Sequence, residues 1–187
     1  MNNVHTRWSA APIDDVARWI EACWSGGDRD CFPRDVIPSW RHNPGGSDGR
    51  GSIDAQALVP GQTLMGHGPF RFRLREWDGA SWKVDVVGKL TGWHGFDLVP
   101  EGEGCRVTHT LYFAPSISAQ LRWLTIAAAH DWAVEAMFDR MAQALATGVV
   151  PAVTERPIPR VAAAGLWLAR RLHSRRRAPR TPHRQAA

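Results

Sequence analysis

The stretch SISAQLRWLTIAAAHDWAVEAMFDRMAQALATG, from Ser116 to Gly148, predicts one long amphipathic helix. Pro115 precedes it and Gly148 closes it, and both residue types commonly mark helix boundaries. The interior is rich in Ala, Leu, Met and Gln, which lose little rotamer freedom in a helix. Apolar residues form two adjacent rows at the helical period. The first row is Trp123, Ala127, Val134, Met137, Met141 and Leu145, and the second is Leu121, Leu124, Ala128, Trp132 and Ala136. A broad surface must therefore pack on this helix.

Short alternating stretches before the helix predict the sheet that supplies this surface. The clearest is FRFRLR, in which apolar and arginine side chains alternate with a period of two. The predicted strands are Val4–Ala10, Ile53–Val59, Gln62–His67, Phe70–Arg75, Trp82–Leu90, Thr91–Val99 and Cys105–Phe113. A short helix opens at Pro12, and residues 25–52 are irregular apart from a short buried piece near Trp40. Strands gathered together and helices kept apart indicate an α+β fold, with the long helix across the concave face of one curved antiparallel sheet of about six or seven strands.

The charge is divided unevenly along the 187 residues. Residues 149–187 hold nine Arg and one Glu, so 9 − 1 = +8, whereas residues 1–148 hold 14 Lys and Arg and 17 Asp and Glu, so 14 − 17 = −3. The body is mildly acidic, and the pI near 9.8 therefore says nothing about its ligand. We expect one domain over 1–148 and a basic Pro- and Arg-rich tail over 149–187.

Three interpretations stay open for the tail. The favoured one is a disordered, solvated extension, within which Arg160–Arg177 can form a short basic amphipathic helix. The second is weak attraction to an anionic membrane surface, with Leu166, Trp167, Leu168 and Leu172 beside the arginines. The third is non-specific contact with nucleic acid, which would depend strongly on salt.

The cysteines and the N-terminus favour a cytoplasmic protein. Cys23, Cys31 and Cys105 are an odd, scattered set without CxxC spacing, which argues against a disulfide framework and against a zinc site. The first fifteen residues have no apolar signal region, and no segment approaches the roughly 18 apolar residues of a membrane span.

The ordered motifs over residues 4–147 resemble the START-like (SRPBCC) superfamily, and within it the bacterial polyketide cyclase/dehydrase and lipid-transport group. The residues that carry the resemblance are WKVDVVGKLTGWHGFDLVPEGEGCRVTHTLYF (82–113) followed by AAAHDWAVEAMFDRMAQAL (127–145). Within them are Gly88, Leu90 and Gly92, then Gly104, Arg106, Val107 and Thr108, and finally His130 and Asp131. The resemblance implies a helix-grip fold with a cavity between sheet and helix. Members differ in function, so the fold alone does not assign one.

Strand alternation brings two histidines to the predicted cavity. If Phe96 and Leu98 point inward, so does His94, and if Leu111 and Phe113 point inward, so does His109. The turn between the strands then places the two imidazoles close together, where they can act as catalytic acid and base groups or orient a ligand carbonyl. The alternative is that one is a core histidine and the other lies at the rim.

A larger set of residues is expected to line a ligand site. It consists of Phe70, Phe72, Leu74, Phe96, Leu111, Phe113, Trp123, His130, Val134, Met137 and Met141. His130 can instead brace a neighbouring loop together with Asp131. No second histidine follows His130 at zinc-binding spacing in the helix, so no metal site is expected, and no cofactor either.

Three functions follow from these patterns. The preferred one is binding of a small hydrophobic molecule of the lipid, polyketide or isoprenoid type between sheet and helix. The first alternative is a cyclase- or dehydrase-type enzyme that uses His94 and His109. The second alternative is surface binding through the tail. The sequence contains no Gly-rich phosphate loop, no GxSxG motif and no Cys–His pairing signal.

Overall fold

The computed structural model describes residues 1–24, 40–41, 63–67, 70–87, 91–150 and 156–176. These ranges form seven strands and three helices in the described part of the chain. In order, they are β1 (Asn2–Ser9), α1 (Ile13–Trp24), β2 (Trp40–Arg41), β3 (Thr63–His67), β4 (Phe70–Trp77), β5 (Ser81–Val87), β6 (Gly92–Glu101), β7 (Gly104–Phe113), α2 (Ile117–Thr147) and α3 (Arg160–Arg176).

The strands form one antiparallel sheet in the order β1-β7-β6-β5-β4-β3-β2. The first strand therefore pairs with the last, and β1 lies at one edge of the sheet with β7 as its partner. The α+β class and the expected six or seven strands are confirmed. The predicted strand Ile53–Val59 and most of the irregular segment 25–52 lie outside the described residues. Within that segment, Trp40 belongs to the two-residue strand β2.

The boundaries of α2 agree with the sequence prediction because both ends are capped. The Ser116 hydroxyl accepts a hydrogen bond from the Ala119 N–H at 3.1 Å, which satisfies one of the free donors of the first turn. Gly148 ends the helix in the left-handed region, with φ of 72°, and its N–H donates to the Ala144 carbonyl at 2.8 Å.

The core lies between α1, the inner face of the sheet and one face of α2. From the predicted ligand-lining set, eight side chains are buried there: Phe72, Leu74, Phe96, Leu111, Phe113, Val134, Met137 and Met141. Trp123 is partly buried against the same cluster, and the side chain of Phe70 is outside the described part of the structure. Val16, Trp19 and Ile20 of α1 complete the core from the other side.

The second apolar row of α2 does not face the sheet. Its C-terminal part, Ala128, Trp132 and Ala136, packs against Ala162 and Leu166 of α3. The Trp132 indole N–H also donates to the Pro157 carbonyl at 3.1 Å. The N-terminal part of the row is exposed, with Leu121 and Leu124 60% and 78% accessible. The C-terminal part of this row is therefore a surface for packing against α3 and not against the sheet.

The structure also bears on the expectations for the tail. Arg160–Arg176 is helical, close to the span in which the sequence allows a short basic helix. Because Leu166 packs against α2, it is not available for a membrane surface, whereas Trp167 is 57% exposed. The predicted domain boundary at residue 148 stays a prediction.

The two cysteines in the described residues differ in state. Cys23 at the end of α1 is disulfide-bonded, so the expectation of reduced cysteines is wrong for this residue. Cys105 is a buried free thiol, and burial raises the pKa of its side chain.

Among the helices that the structure describes, none combines the length and apolar character needed to cross a bilayer.

We expect Phe138→Ala to lower the free energy of unfolding by about 3–5 kcal/mol, because Phe138 is fully buried where α2 meets the sheet and truncation leaves a cavity. Urea unfolding followed by circular dichroism measures the change. Val99→Ala is the matched control: Val99 is 54% exposed, and its truncation should change stability by less than about 0.5 kcal/mol. Equal losses in the two variants would contradict this core assignment.

Candidate functional site

The edge strand β1 turns its polar face toward the body of the protein. Val4 and Trp8, which are apolar, are 54% and 55% exposed. The alternate residues Asn3, His5 and Arg7 point toward α2 and contact its side chains. An arrangement of this kind reverses the usual assignment of apolar side chains to the inner face of a strand. It requires polar partners on the helix.

The partners are three carboxylates spaced four residues apart on α2. We call the two sets together the polar seam: Asn3, His5 and Arg7 of β1, with Asp131, Glu135 and Asp139 of α2. The Asn3 amide donates to Asp131 at 2.9 Å, and His5 Nδ1 lies 2.9 Å from Glu135 Oε1. Arg7 donates to Glu135 at 2.5 Å and to Asp139 at 3.3 Å. Arg156, just before α3, donates to Asp139 at 2.7 Å and closes the far end of the seam.

Four histidines meet where the seam joins the core. We call them the histidine cluster: His5 of β1, His94 of β6, His109 of β7 and His130 of α2. His5 and His109 are directly opposite each other in the β1–β7 register, with ring centroids 6.4 Å apart. The His109 centroid is 5.7 Å from that of His94 and 5.5 Å from that of His130. The imidazoles of His94, His109 and His5 thus lie in a row from β6 inside the sheet to β1 at its edge, and His130 lies beside His109.

The solvent exposure of the side chains increases from one end of the cluster to the other. His94 and His109 are buried, at 7% and 3% exposure, and aromatic rings of Phe72 and Phe96 lie 4.6 and 5.0 Å from them, respectively. The side chains of His5 and His130 are 12% and 18% exposed, and Asp131 at the outer end is 46% exposed. Solvent exposure therefore increases from the aromatic interior around His94 and His109 to Asp131.

The environment keeps His109 neutral. Burial lowers the pKa of His109 well below its ordinary value of 6.5, and the imidazoles of His130, His94 and His5 lower it further. Its Nδ1 is buried and has no hydrogen-bond partner among the residues that the structure describes. Burial also lowers the pKa of His130, an effect that the Asp131 carboxylate opposes.

The predicted site residues are brought together in part. His94 and His109 lie side by side, and His130 joins them from α2, so these three form one site with Phe72, Phe96 and Trp123 around it. Leu74, Leu111, Phe113, Val134, Met137 and Met141 belong to the surrounding core cluster. The roles proposed for them as catalytic or ligand-binding groups stay predictions.

Sequence reasoning missed His5, the three carboxylates and the buried Arg140 of α2. A signal for part of this was present: Asp131, Glu135 and Asp139 repeat at i, i+4 and i+8 beside the apolar row, and Asn3, His5 and Arg7 alternate in β1. Two of the missed residues, His5 and Asp131, lie beside the predicted His130, and one ligand atom of each of the three is within 4.8 Å of the others, a spacing compatible with a metal ion.

The neutral state of His109 predicts a pH dependence of stability. Between its lowered pKa in the folded state and about 6.5 in the unfolded state, the unfolded chain binds more protons, so stability falls as the pH drops below 6.5. The slope from one such group is at most about 1.4 kcal/mol per pH unit. His109→Leu should therefore reduce the loss of stability between pH 8 and pH 5.

The measurement is urea unfolding of both proteins at several pH values, with a chelator present so that metal ions do not contribute. Wild type and His109→Leu should differ most in slope below pH 6.5 and least between pH 7 and 8. Glu103→Gln, in the exposed turn after β6, serves as control and should keep the wild-type slope. Parallel stability curves for wild type and His109→Leu would show that His109 does not titrate as described.

Comparison with known structures supports the fold. No protein-family model matches the sequence, and neither does any curated protein. A protein from Nitrosospira multiformis is similar with a TM-score of 0.54 at 12% identity, over 79% of this chain and 98% of the other. A protein from Nitrosomonas europaea gives 0.53 at 13% identity, over 79% and 96%. Ara h 8.0201 gives 0.51 at 11% identity, over 79% and 98%. This chain therefore has a helix-grip fold, in which an antiparallel sheet packs against a long C-terminal helix.

Proposed function

We propose that this protein binds a small, mainly hydrophobic molecule of the lipid, polyketide or isoprenoid type between the sheet and α2. The molecule would have an apolar body and one polar group that accepts or donates a hydrogen bond. Its polar group meets the histidine cluster, and its body lies against the aromatic side chains at the inner end. The helix-grip fold is compatible with this function but does not assign it.

The observation that carries the proposal is the unpaired nitrogen of His109. A buried polar atom without a hydrogen bond costs about 1–3 kcal/mol, and natural proteins rarely leave such atoms unsatisfied. In the described part of the chain, Nδ1 of His109 has no such partner and is surrounded by rings of Phe96, His94 and His130. A carbonyl or hydroxyl group of a bound molecule would satisfy this nitrogen.

The surroundings restrict the ligand's chemistry. Rings of Phe72, Trp82, Phe96 and Trp123 contact the imidazoles at centroid distances between 4.6 and 5.8 Å. A small molecule with several charges would lose its hydration here without compensation, which costs several kcal/mol per group. A single polar group on an apolar skeleton fits, and this is the usual composition of a small-molecule pocket.

We expect the purified protein to bind a long-chain methyl ketone more tightly than the alkane of equal length. In His109→Leu the ketone should bind about fivefold more weakly, the equivalent of one net hydrogen bond of about 1 kcal/mol, whereas the alkane should bind equally well or better. Displacement of a fluorescent fatty-acid probe measures both affinities, and native mass spectrometry of the purified protein detects any molecule already bound.

Thr108→Ala is the matched control, because Thr108 neighbours His109 in β7 but lies on the opposite face, where its hydroxyl approaches that of Thr6. It should leave both affinities unchanged. Absence of probe binding, together with no co-purified molecule, would exclude ligand binding between sheet and helix. An equal loss for ketone and alkane in His109→Leu would show that the histidine serves only as packing.

A cyclase- or dehydrase-type reaction is the second candidate. The observation that favours it is the pair of neighbouring imidazoles of His109 and His130, since one can accept a proton from the substrate while the N–H of the other donates a hydrogen bond to the carbonyl oxygen on which negative charge develops. Of the two, His130 is the better base, because Asp131 opposes the effect of burial on its pKa. A general base in this position contributes typically about 10²–10⁴-fold to a rate.

If the protein is such an enzyme, His130→Gln should lower turnover of a polyketide mimic with adjacent carbonyl groups by about 10²–10⁴-fold. His94→Ala and His109→Ala should lower it as well, since they shape the same site. The rate of product formation, followed by chromatography, measures the effect. Turnover that is unchanged in all three variants would remove the enzymatic candidate and leave the binding proposal intact.

A further inference from the structure

One ring nitrogen of His5, Nε2, faces only oxygen atoms that accept hydrogen bonds. His5 Nδ1 lies 2.9 Å from Glu135 Oε1. A carboxylate only accepts hydrogen bonds, so Nδ1 carries the proton, and in a neutral imidazole Nε2 then presents a lone pair. Nε2 lies 3.2 Å from Asp131 Oδ1 and 3.1 Å from Asn3 Oδ1. The lone pair of Nε2 thus faces two oxygen atoms that also carry lone pairs.

Reorienting Asn3 does not remove this conflict. Its Nδ2 donates to Asp131 Oδ1 at 2.9 Å, which leaves Oδ1 toward His5. Turning the amide over would give His5 a donor, but it would place the amide oxygen against the Asp131 carboxylate. In either orientation His5 Nε2 still lies 3.2 Å from Asp131 Oδ1, so a proton on Nε2 or a bound cation is needed between these two atoms.

A third ligand atom approaches the same point from α2. His130 Nδ1 is buried, lies 3.9 Å from Asp131 Oδ1, which is too long for a hydrogen bond, and has no other hydrogen-bond partner in the described ranges. In a tetrahedral zinc site with bonds of about 2.0–2.2 Å, ligand atoms lie about 3.3–3.6 Å apart. The separations of 3.2 and 3.9 Å bracket this value.

We propose that His5 Nε2, His130 Nδ1 and Asp131 Oδ1 form a binding site for a divalent transition-metal ion, with Zn²⁺ as the best-fitting common ion. Two imidazole nitrogens and one carboxylate suit zinc and its neighbours in the first transition row, whereas Mg²⁺ and Ca²⁺ prefer oxygen ligands alone. The site goes beyond hydrophobic-ligand binding and does not depend on it.

The surroundings supply the other parts that such a site needs. Glu135 holds His5 through Nδ1, so that Nε2 points at the ion, and an outer carboxylate in this role fixes both the tautomer and the ring orientation. The Asp131 side chain is 46% exposed, which leaves a path from solvent. Three protein ligands leave the fourth position of a zinc ion for water or another small molecule.

The test uses untagged full-length protein that has been stripped with a chelator and returned to metal-free buffer. Co²⁺ is added first, because its visible absorption reports nitrogen and oxygen ligands in a low-coordinate site. Zn²⁺ is then added, and it should displace Co²⁺ with one equivalent per chain. A competition titration against a chromophoric chelator gives the dissociation constant.

Asp131→Asn and His130→Gln each remove one ligand, and we expect each to weaken Zn²⁺ binding by more than about 100-fold, since loss of an outer partner alone typically costs about 10–100-fold. Glu135→Gln acts on the orientation of His5, so it should weaken binding by about 10–100-fold while the Co²⁺ spectrum keeps its shape. Glu103→Gln, which changes an exposed carboxylate outside the proposed ligand set, should bind as wild type.

Two results would overturn the proposal. One is the absence of Co²⁺ absorption and of zinc binding at millimolar metal. The other is zinc binding that survives unchanged in both Asp131→Asn and His130→Gln, which would place the ion elsewhere in the chain. Circular dichroism of each variant confirms that it is folded before metal is added.

Discussion

The match between two periodicities along the polar seam determines how α2 lies on the edge of the sheet. Residues of one strand face repeat every two positions, about 6.6–6.8 Å, and helix residues four positions apart repeat about every 6 Å. Asn3, His5 and Arg7 therefore meet Asp131, Glu135 and Asp139 in the same order along both elements. A shift of β1 by one residue would turn Val4 and Trp8 to the carboxylates, so only one register satisfies the seam.

The seam specifies this arrangement more than it stabilises it. Its ion pairs join side chains that are 28–40% exposed in the case of Arg7, Glu135 and Asp139, and such pairs contribute roughly 0–1 kcal/mol each. The buried apolar side chains of α1, the sheet and α2 supply the larger part of the free energy of folding. The registration by the seam is what brings His130 to within 5.5 Å of His109.

The sequence predicted the elements well because their signals are local. Ser116 and Gly148 cap α2 where the pattern ends, and Gly79 and Gly102 have positive φ in the two turns placed after β4 and β6. The alternation in β6 and β7 also put His94 and His109 on the buried face. These inferences use only the neighbours of a residue along the chain, and the START-like resemblance then implied that the sheet wraps round the long helix.

Other features of the fold and the site could not be predicted from the sequence, because they depend on contacts between residues far apart in the chain. Period-two alternation says which residues share a face, but not which face is inward, and for β1 the polar face is the inner one. An apolar row on a helix predicts burial without naming the partner, which for Trp132 is α3 rather than the sheet. His5 became part of the candidate site only through β1–β7 pairing, which joins the two ends of the domain. The helix-based argument against a metal considered spacing within α2 alone and could not include a ligand from β1.

The distribution of charge in the seam shows why its Asp131 end differs from the rest. Burial is the largest single effect on the pKa of Glu135 and raises it, but hydrogen bonds from His5 and Arg7 together lower the pKa below its ordinary value. Burial likewise raises the pKa of Asp139, and Arg156 and Arg7 together lower it below its ordinary value. The pKa of Asp131 is lowered by His130, against burial, and by Asn3 and His5. All three carboxyls are thus ionised at neutral pH.

Within the seam, three carboxylates face two guanidiniums, Arg7 and Arg156, and both guanidiniums contact Glu135 and Asp139. One negative charge is therefore left over, and it belongs to Asp131, whose partners Asn3, His5 and His130 carry no permanent charge. Protonation of an imidazole or a bound cation can balance it, but only a cation leaves both histidines neutral beside the buried His109. The polar seam that orients α2 on the sheet thus has an unbalanced negative charge at its solvent-facing end, next to an apolar interior. A cation bound there would balance this charge.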